Sequence, residues 1–445
     1  MMDIYSLNLT ALLALCGGLF HNTRSQQQAD SLKKTGEAAT QDANDKKSKK
    51  NPALPFLVVY TLVMASDWLQ GPFLYSLYRE EHSVSPALIS SLFTTGFLSG
   101  AASGTFIGAL ADRRGRRTAC LTFCAVYAAS CILTTISGSV VLLFLGRILG
   151  GLGTSLLFSV FESWIVTDLK KQGLETELSN TFGLMSTLNS IVAILSGVGS
   201  EWLVGAAGTR KAPFWVSAAI LVVAGVLIFN TWEENFGETG SKPATAAPKD
   251  DDKKQENKLW ATLFRPSILS LALASTIFEG SMYLFVFFWA PALQSISSSA
   301  SSLPYGVIFA SFMAATLASS LVFNIITSRG LISFSSLLPT ILATSSACFF
   351  LSASPRTEQS TFWIFCLFEA AVGMYWPCMG YLKGKLIDDA VRAQVYGVLR
   401  IPLNVFVVIS LLLTGDSGFG SVFSVCSVLL LGSTVGLWVA RKKTQ

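Results

Sequence analysis

Runs of roughly twenty apolar residues, separated by short polar breaks, recur along most of this 445-residue chain. A run of that length crosses the hydrocarbon core of a bilayer as a helix. Outer-membrane barrels show short alternating segments instead, and lipid leaves no water for unpaired backbone groups, so the runs are helical. A first short run covers Ile4 to Phe20, and a polar, lysine-rich stretch follows from His21 to Pro52. Twelve more lie near 54–78, 85–111, 118–137, 140–167, 178–205, 212–232, 266–294, 303–327, 331–352, 361–382, 393–413 and 419–440. The one long polar break among these, Glu233 to Leu259, has the Lys, Asp, Glu, Pro and Ala content of disordered sequence and divides the twelve six and six. The pattern predicts an all-α membrane protein with two six-helix bundles. Its expected parts are an extra N-terminal helix (1–21), a polar cytosolic linker (22–53), the first bundle (54–232), a cytosolic central loop (233–265), the second bundle (266–440) and a cytosolic tail (441–445).

Charge placement orients the bundles. Only 13% of residues are charged, against about 25% in a soluble domain. Breaks on one side carry Arg113, Arg114, Arg116, Arg117, Lys170, Lys171, Arg329, Lys383, Lys385, Arg392 and the Arg441-Lys442-Lys443 tail; those on the other carry only Arg79, Arg210, Lys211 and Arg356. Basic loops stay in the cytosol, which places both ends of the twelve-span unit there, most naturally in the plasma membrane. The first run lacks the basic start of a signal peptide, its only early charge being Asp3. As a further span it puts Met1 outside and the Arg24 side inside. The net charge of +5 is spread over short loops, so there is no basic face for nucleic acid. Eight cysteines lie in or beside apolar runs without a CxxC pair, and there are two histidines. Neither a disulfide framework nor a metal site is indicated, no cofactor is called for, and no nucleophile–base constellation marks an enzyme.

The two sets of six spans resemble each other. Asp67 and Glu279 stand at similar depth in spans 1 and 7, Gly183 and Gly397 in spans 5 and 11, and Arg147 and Glu369 in spans 4 and 10, at offsets of 212, 214 and 222 residues. Such parallel repeats are a device of secondary transporters, which hold their substrate between the halves near the bilayer midplane.

The break between spans 2 and 3 reads Gly108-Ala-Leu-Ala-Asp112-Arg113-Arg-Gly115-Arg116-Arg117. It resembles the signature loop of the major facilitator superfamily, which implies the major facilitator fold and a latch on the cytosolic gate. Gly108 suits close helix approach, Asp112 suits a helix-end pairing and Gly115 a tight turn. Within the spans, charges are rare and therefore informative. Arg147 and Asp67 lie at comparable depth, either as an ion-paired strut or with Arg147 facing an anion. Glu162 near the cytosolic end of span 4 can snorkel. Glu279 and Glu369 are mid-span, either as proton carriers, because low dielectric disfavours the ionised form, or as partners of Arg400 in span 11. Two deep arginines from opposite halves suit a divalent oxyanion, with Asn189 and Asn404 as polar neighbours. Asp67, Glu162, Glu279 and Glu369 are the candidates for charge balance or proton coupling. Pro72, Pro291, Pro377 and Pro402 are expected to kink spans 1, 7, 10 and 11.

Longer strings narrow the resemblance. Asp67-Trp-Leu-Gln-Gly-Pro-Phe-Leu-Tyr-Ser-Leu-Tyr78, Gly146-Arg-Ile-Leu-Gly-Gly-Leu-Gly-Thr-Ser-Leu-Leu-Phe-Ser-Val-Phe-Glu-Ser-Trp164, Phe278-Glu-Gly, Phe285-Val-Phe-Phe-Trp-Ala-Pro291, Phe309-Ala-Ser-Phe-Met-Ala-Ala315, Gly373-Met-Tyr-Trp-Pro377 and Arg400-Ile-Pro402 together resemble the molybdate-anion transporter family. The likeness implies uptake of molybdate, a tetrahedral dianion, across a cellular membrane; proton coupling and a monomeric state are added expectations. Two other readings compete. One is a facilitator for sugars or organic anions, although Thr231-Trp-Glu-Glu-Asn-Phe236 lacks the sugar-porter motif and Ser196-Gly-Val-Gly-Ser200 lacks the proline of drug antiporters. The other is a non-transporting nutrient sensor on the same fold, which long signalling tails would favour.

Overall fold

The computed structural model describes residues 4–35, 53–136, 138–237, 260–297, 303–354, 357–387, 392–414 and 418–442. Much of the expected linker and central loop, and the end of the tail, lie outside these residues. The described residues contain thirteen long helices and no strand. They are α1 (Ile4–Thr35), α2 (Leu54–Glu81), α3 (Pro86–Gly104, resuming as Ile107–Arg114), α4 (Arg116–Thr135), α5 (Val140–Lys171), α6 (Leu178–Ala207) and α7 (Ala212–Thr231). The second set is α8 (Pro266–Ile296), α9 (Tyr305–Ser328), α10 (Phe334–Ser352), α11 (Glu358–Leu386), α12 (Arg392–Thr414) and α13 (Phe419–Lys442). Eleven described helices, α1 among them, are long and apolar enough to cross a membrane. Helix α3, interrupted at Thr105–Phe106, and α12, with its shorter apolar stretch Val398–Leu412, complete the two sets of six.

Within the first bundle α5 packs on α3 and α4, and α7 on α2 and α4; in the second α11 packs on α9 and α10, and α13 on α8 and α10. The bundles meet through α6 on α9 and α3 on α12. The internal repeat relates α3 to α9 and α6 to α12, so these two contacts are one contact used twice. Lipid gives helices no hydrophobic reason to associate, and small residues let backbones approach for van der Waals packing. Gly197 on α6 shows this: a Cβ there would stand 2.8 Å from the Gly306 carbonyl oxygen and 2.9 Å from the Ala310 nitrogen on α9.

The chain has a basic end, carrying Arg113 to Arg117, Lys170 and Lys171, and a far end. At the far end α2 changes character. Pro72 lacks an N–H, and Gly71–Phe73 is a 3₁₀ turn, followed by a π turn over Leu77–Glu81. Pro291, Pro377 and Pro402 sit inside continuous helices. Helix α1 runs beyond the expected polar boundary to Thr35 and packs on α9 of the second bundle. Tyr5 Oη donates to Glu358 at 2.5 Å and Asn8 Nδ2 to Gln359 at 3.0 Å, both at the start of α11. Further along, Cys16 Sγ donates to the Ala314 carbonyl. All eight cysteines are free and buried.

Candidate functional site

Asp67, Arg147 and Glu162 of the first bundle are not paired with one another among the described residues. Asp67 on α2 accepts a hydrogen bond from the Tyr127 hydroxyl on α4. No described carboxylate pairs with Arg147, so the strut between Asp67 and Arg147 is not formed. Helix direction explains this. Side chains lean toward the N-terminus of their helix; α2 starts at the basic end and α5 at the far end, so the two groups lean apart. The Arg147 guanidinium lies over the Phe93 ring at 5.1 Å, beside the Tyr78 hydroxyl, and its buried Nε has no hydrogen-bond partner. Gly96 makes room for it: a Cβ there would fall 2.6 Å from an Arg147 nitrogen. Arg147, Thr154, Phe158 and Glu162 recur at helical spacing on one stripe of α5, and the last three are exposed. Asn189 Oδ1 accepts from Trp68 Nε1 at 2.8 Å, which leaves the Asn189 amide nitrogen without a described protein partner.

In the second bundle the expected sharing of Glu279 and Glu369 with Arg400 is replaced by other partners. Buried Glu279 on α8 accepts from Ser275 Oγ at 2.6 Å and Tyr375 Oη at 2.8 Å, and faces Lys383 Nζ at 3.4 Å. Buried Glu369 on α11 meets only the Thr316 hydroxyl, at 3.1 Å, among the described residues. Arg400 is exposed on α12 with Asn404 one turn on. An exposed guanidinium within a span is sustained by water and not by lipid tails. Two aromatics of α3 connect the arginines: Phe93 covers Arg147, and Phe97, one turn further, packs at 5.0 Å on Tyr283, which has Arg400 as a charged neighbour.

At the basic end Asp112 is clipped to Arg116 at 2.7 and 2.8 Å. Arg116 also donates to the Ser163 carbonyl at 2.9 Å and to the Thr167 hydroxyl. Arg113 is exposed. Gly115 is at φ +108°, a value that favours glycine. Gly108 has open space where its Cβ would stand, which corrects the expectation of close packing there. The segment after α7 reads in the sequence as a motif that fails to match and, from Glu233 on, as the start of a disordered central loop; through Gly237 it is instead a strap fixed across this loop. Glu234 accepts from the Arg117 and Thr118 backbone nitrogens at 2.8 and 3.1 Å, giving an acceptor to N–H donors that have no intrahelical partner at the start of α4. Trp232 stacks on Trp164 at 3.9 Å, and Gly237 N donates to the Asp112 carbonyl at 3.1 Å.

Between described residues, the side-chain hydrogen bonds and ring contacts that join the bundles cluster from mid-depth to the far end. Tyr305 Oη donates to Glu80 at 3.2 Å, and the Gly306 nitrogen donates to Glu201 at 2.8 Å. Phe73 packs on Tyr305, Trp68 on Phe309, and Phe287 on Tyr75 and Phe93. Beyond them, at the end of α2, Glu80 pairs with Arg210, and Glu81 with Lys211 at 3.7 Å.

The fold is shared with solved transporters at low sequence identity. A peptide transporter of the POT type, solved in complex with sulfate, superposes with a TM-score of 0.69 at 15% identity over 88% of this chain and 94% of its own. A bacterial homologue of the human lysosomal transporter Spinster gives 0.64 at 14% identity, over 88% and 96%. Residues 4–357 match the MFS_5 family model, described as sugar transporters with 12 TM. The molybdate-anion transporter of Xenopus tropicalis is 33% identical over 393 residues, 84% of this chain and 82% of that protein. The one from Takifugu rubripes is 31% identical over 96% of this chain and 93% of its own. With the strings in α2 and α5, the signature loop and the paired six-helix bundles in place, these likenesses make the chain a member of the molybdate-anion transporter family of the major facilitator superfamily.

Proposed function

We propose that this membrane transporter carries molybdate, or a closely related tetrahedral oxyanion, by alternating access between its two bundles. The observation that carries the reading is a pair of guanidiniums, Arg147 and Arg400, that no described carboxylate neutralises, one in each bundle and linked through Phe93 and Phe97. A planar fork of N–H donors suits a dianion, and the Asn189 and Asn404 amides add neutral donors. Asp67, Glu162, Glu279 and Glu369 supply the acids for charge balance. One charge moving against 100 mV costs about 2.3 kcal/mol, so a dianion entering a cell meets roughly twice that. Protons carried on Glu369 would offset it. The Asp112–Arg116 clip and exposed Arg113, held by Gly115 and the Glu234 strap with Gly108 above, would form the gate at the basic end. With that end cytosolic and the far end outside, the clustering of inter-bundle contacts toward the far end favours an inward-open form; in this reading the protein acts as a monomer in the plasma membrane.

The test is uptake of labelled molybdate by cells lacking their own transporter, with sulfate and glucose as competitors. The parent is expected to give saturable uptake that sulfate slows and glucose does not. Arg147→Gln at equal surface level should lose at least about ten-fold in kcat/KM, the equivalent of one charge-assisted contact. No uptake by a well-expressed parent overturns the proposal.

A further inference from the structure

Lys383 reads in the sequence as one of the basic residues that orient the chain. In the structure it turns back into the second bundle. Its Nζ lies 2.9 Å from Ser275 Oγ and 3.4 Å from Glu279 Oε1. Ser275, Tyr375 and Lys383 thus converge on one oxygen of Glu279, at 2.6, 2.8 and 3.4 Å. The two neutral donors are the close ones, and the cation is the distant one. If Lys383 moves away, the carboxylate keeps two short hydrogen bonds, so the ion pair can open without leaving Glu279 bare. The Asp112–Arg116 clip is built differently, with two guanidinium nitrogens within 2.8 Å of one oxygen, and has no neutral donor in reserve among the described bonds. Position also singles Lys383 out. Tyr283, one turn along α8 from Glu279, has both Glu279 and Arg400 as charged neighbours, so the Lys383–Glu279 pair stands about one helical turn from the neighbourhood of exposed Arg400.

We propose that Lys383 is a further substrate-binding residue whose ammonium Glu279 holds until an oxyanion arrives. The anion, engaged first by Arg400, draws Lys383 from Glu279; as it leaves, Glu279 takes the ammonium back. Glu279 is then a competitor for Lys383 and not a contact of the anion, which separates it from a simple structural partner. The inference rests on the oxyanion reading above.

The test measures equilibrium binding of sodium molybdate to the purified full-length chain in detergent, with melting temperature as a check on folding. Lys383→Gln should raise the Kd about ten-fold or more, the scale of one charge-assisted hydrogen bond. Lys383→Arg should stay within about three-fold of the parent. Glu279→Gln keeps an oxygen for Ser275 and Tyr375 but removes the competing charge, so it should tighten binding by about three- to ten-fold. A parent that binds molybdate while Lys383→Gln and Glu279→Gln leave its Kd unchanged overturns this inference alone. So does a folded Glu279→Gln protein that binds more weakly, even where Lys383→Gln fails to fold. A folded parent that does not bind molybdate overturns the oxyanion reading and this inference with it.

Discussion

Glu279 and Glu369 are both acids within spans of the second bundle, but their neighbours give them different work. Glu279 faces an ammonium and two hydroxyl donors. Glu369 has the Thr316 hydroxyl at 3.1 Å and no described cation. A buried carboxylate without a cation is expensive, and a proton removes the charge. Glu369→Gln fixes the neutral form while keeping an acceptor for Thr316, and molybdate uptake by this variant is expected to lose its response to an ionophore that collapses the proton gradient. Uptake by the variant that still follows the gradient as the parent does would move the proton to another group. The sequence displayed these acids plainly, because each interrupts an apolar run. Their partners were hidden. Tyr127, Tyr375 and Thr316 look like packing residues, and Lys383 looks like a loop charge. Which of them meets an acid depends on helix rotation and on the direction in which side chains lean, which spacing along one helix does not fix.

The strap after α7 shows the same limit at the level of an element. The run to Thr231 and the break after it were legible as a span and its end. That Trp232 stacks on both Trp164 and Phe56, and that Glu234 crosses to the first turn of α4, were not, because both contacts join segments more than sixty residues apart. Glu234→Ala removes an acceptor from backbone donors at a helix start, a loss of about 1 kcal/mol. Trp232→Ala empties a stacked aromatic slot and should cost about 3–5 kcal/mol. Melting of the purified variants should therefore fall in the order parent, Glu234→Ala, Trp232→Ala. If Trp232→Ala melts with the parent, the strap lies on the bundle without holding it. The signature loop would then owe its shape to Gly115 and the Asp112–Arg116 clip alone.

For the whole molecule, the balance between the two ends matters most. Two hydrogen bonds between described residues cross the bundles at the far end, from Tyr305 to Glu80 and from Gly306 to Glu201. Beneath them lie Phe73 and Phe287, both buried, in contact with residues of the opposite bundle. Each bond contributes on the order of 1 kcal/mol, so losing both shifts a two-state equilibrium by about 2 kcal/mol, or roughly thirty-fold. The double variant Tyr305→Phe, Glu201→Ala keeps the ring against Phe73 and removes both of these bonds. A reporter Phe73→Cys in this background should react with a membrane-impermeant thiol reagent at least several-fold faster than in the parent background. The native cysteines give little competing signal because all are buried. Gly197→Leu should act in the same direction by a different route, since its side chain would stand between α6 and α9 where the backbones now touch, an overpacking of about 1–3 kcal/mol. Faster labelling in both backgrounds would mean that the far end closes by the sum of small ties across a tight helix crossing. Unchanged labelling in the double variant together with faster labelling in Gly197→Leu would assign closure to the helix crossing, with Tyr305 and Glu201 as passengers. Unchanged labelling in both would show that this end does not open at all on the timescale of the reagent, which is incompatible with alternating access about the Arg147 and Arg400 site.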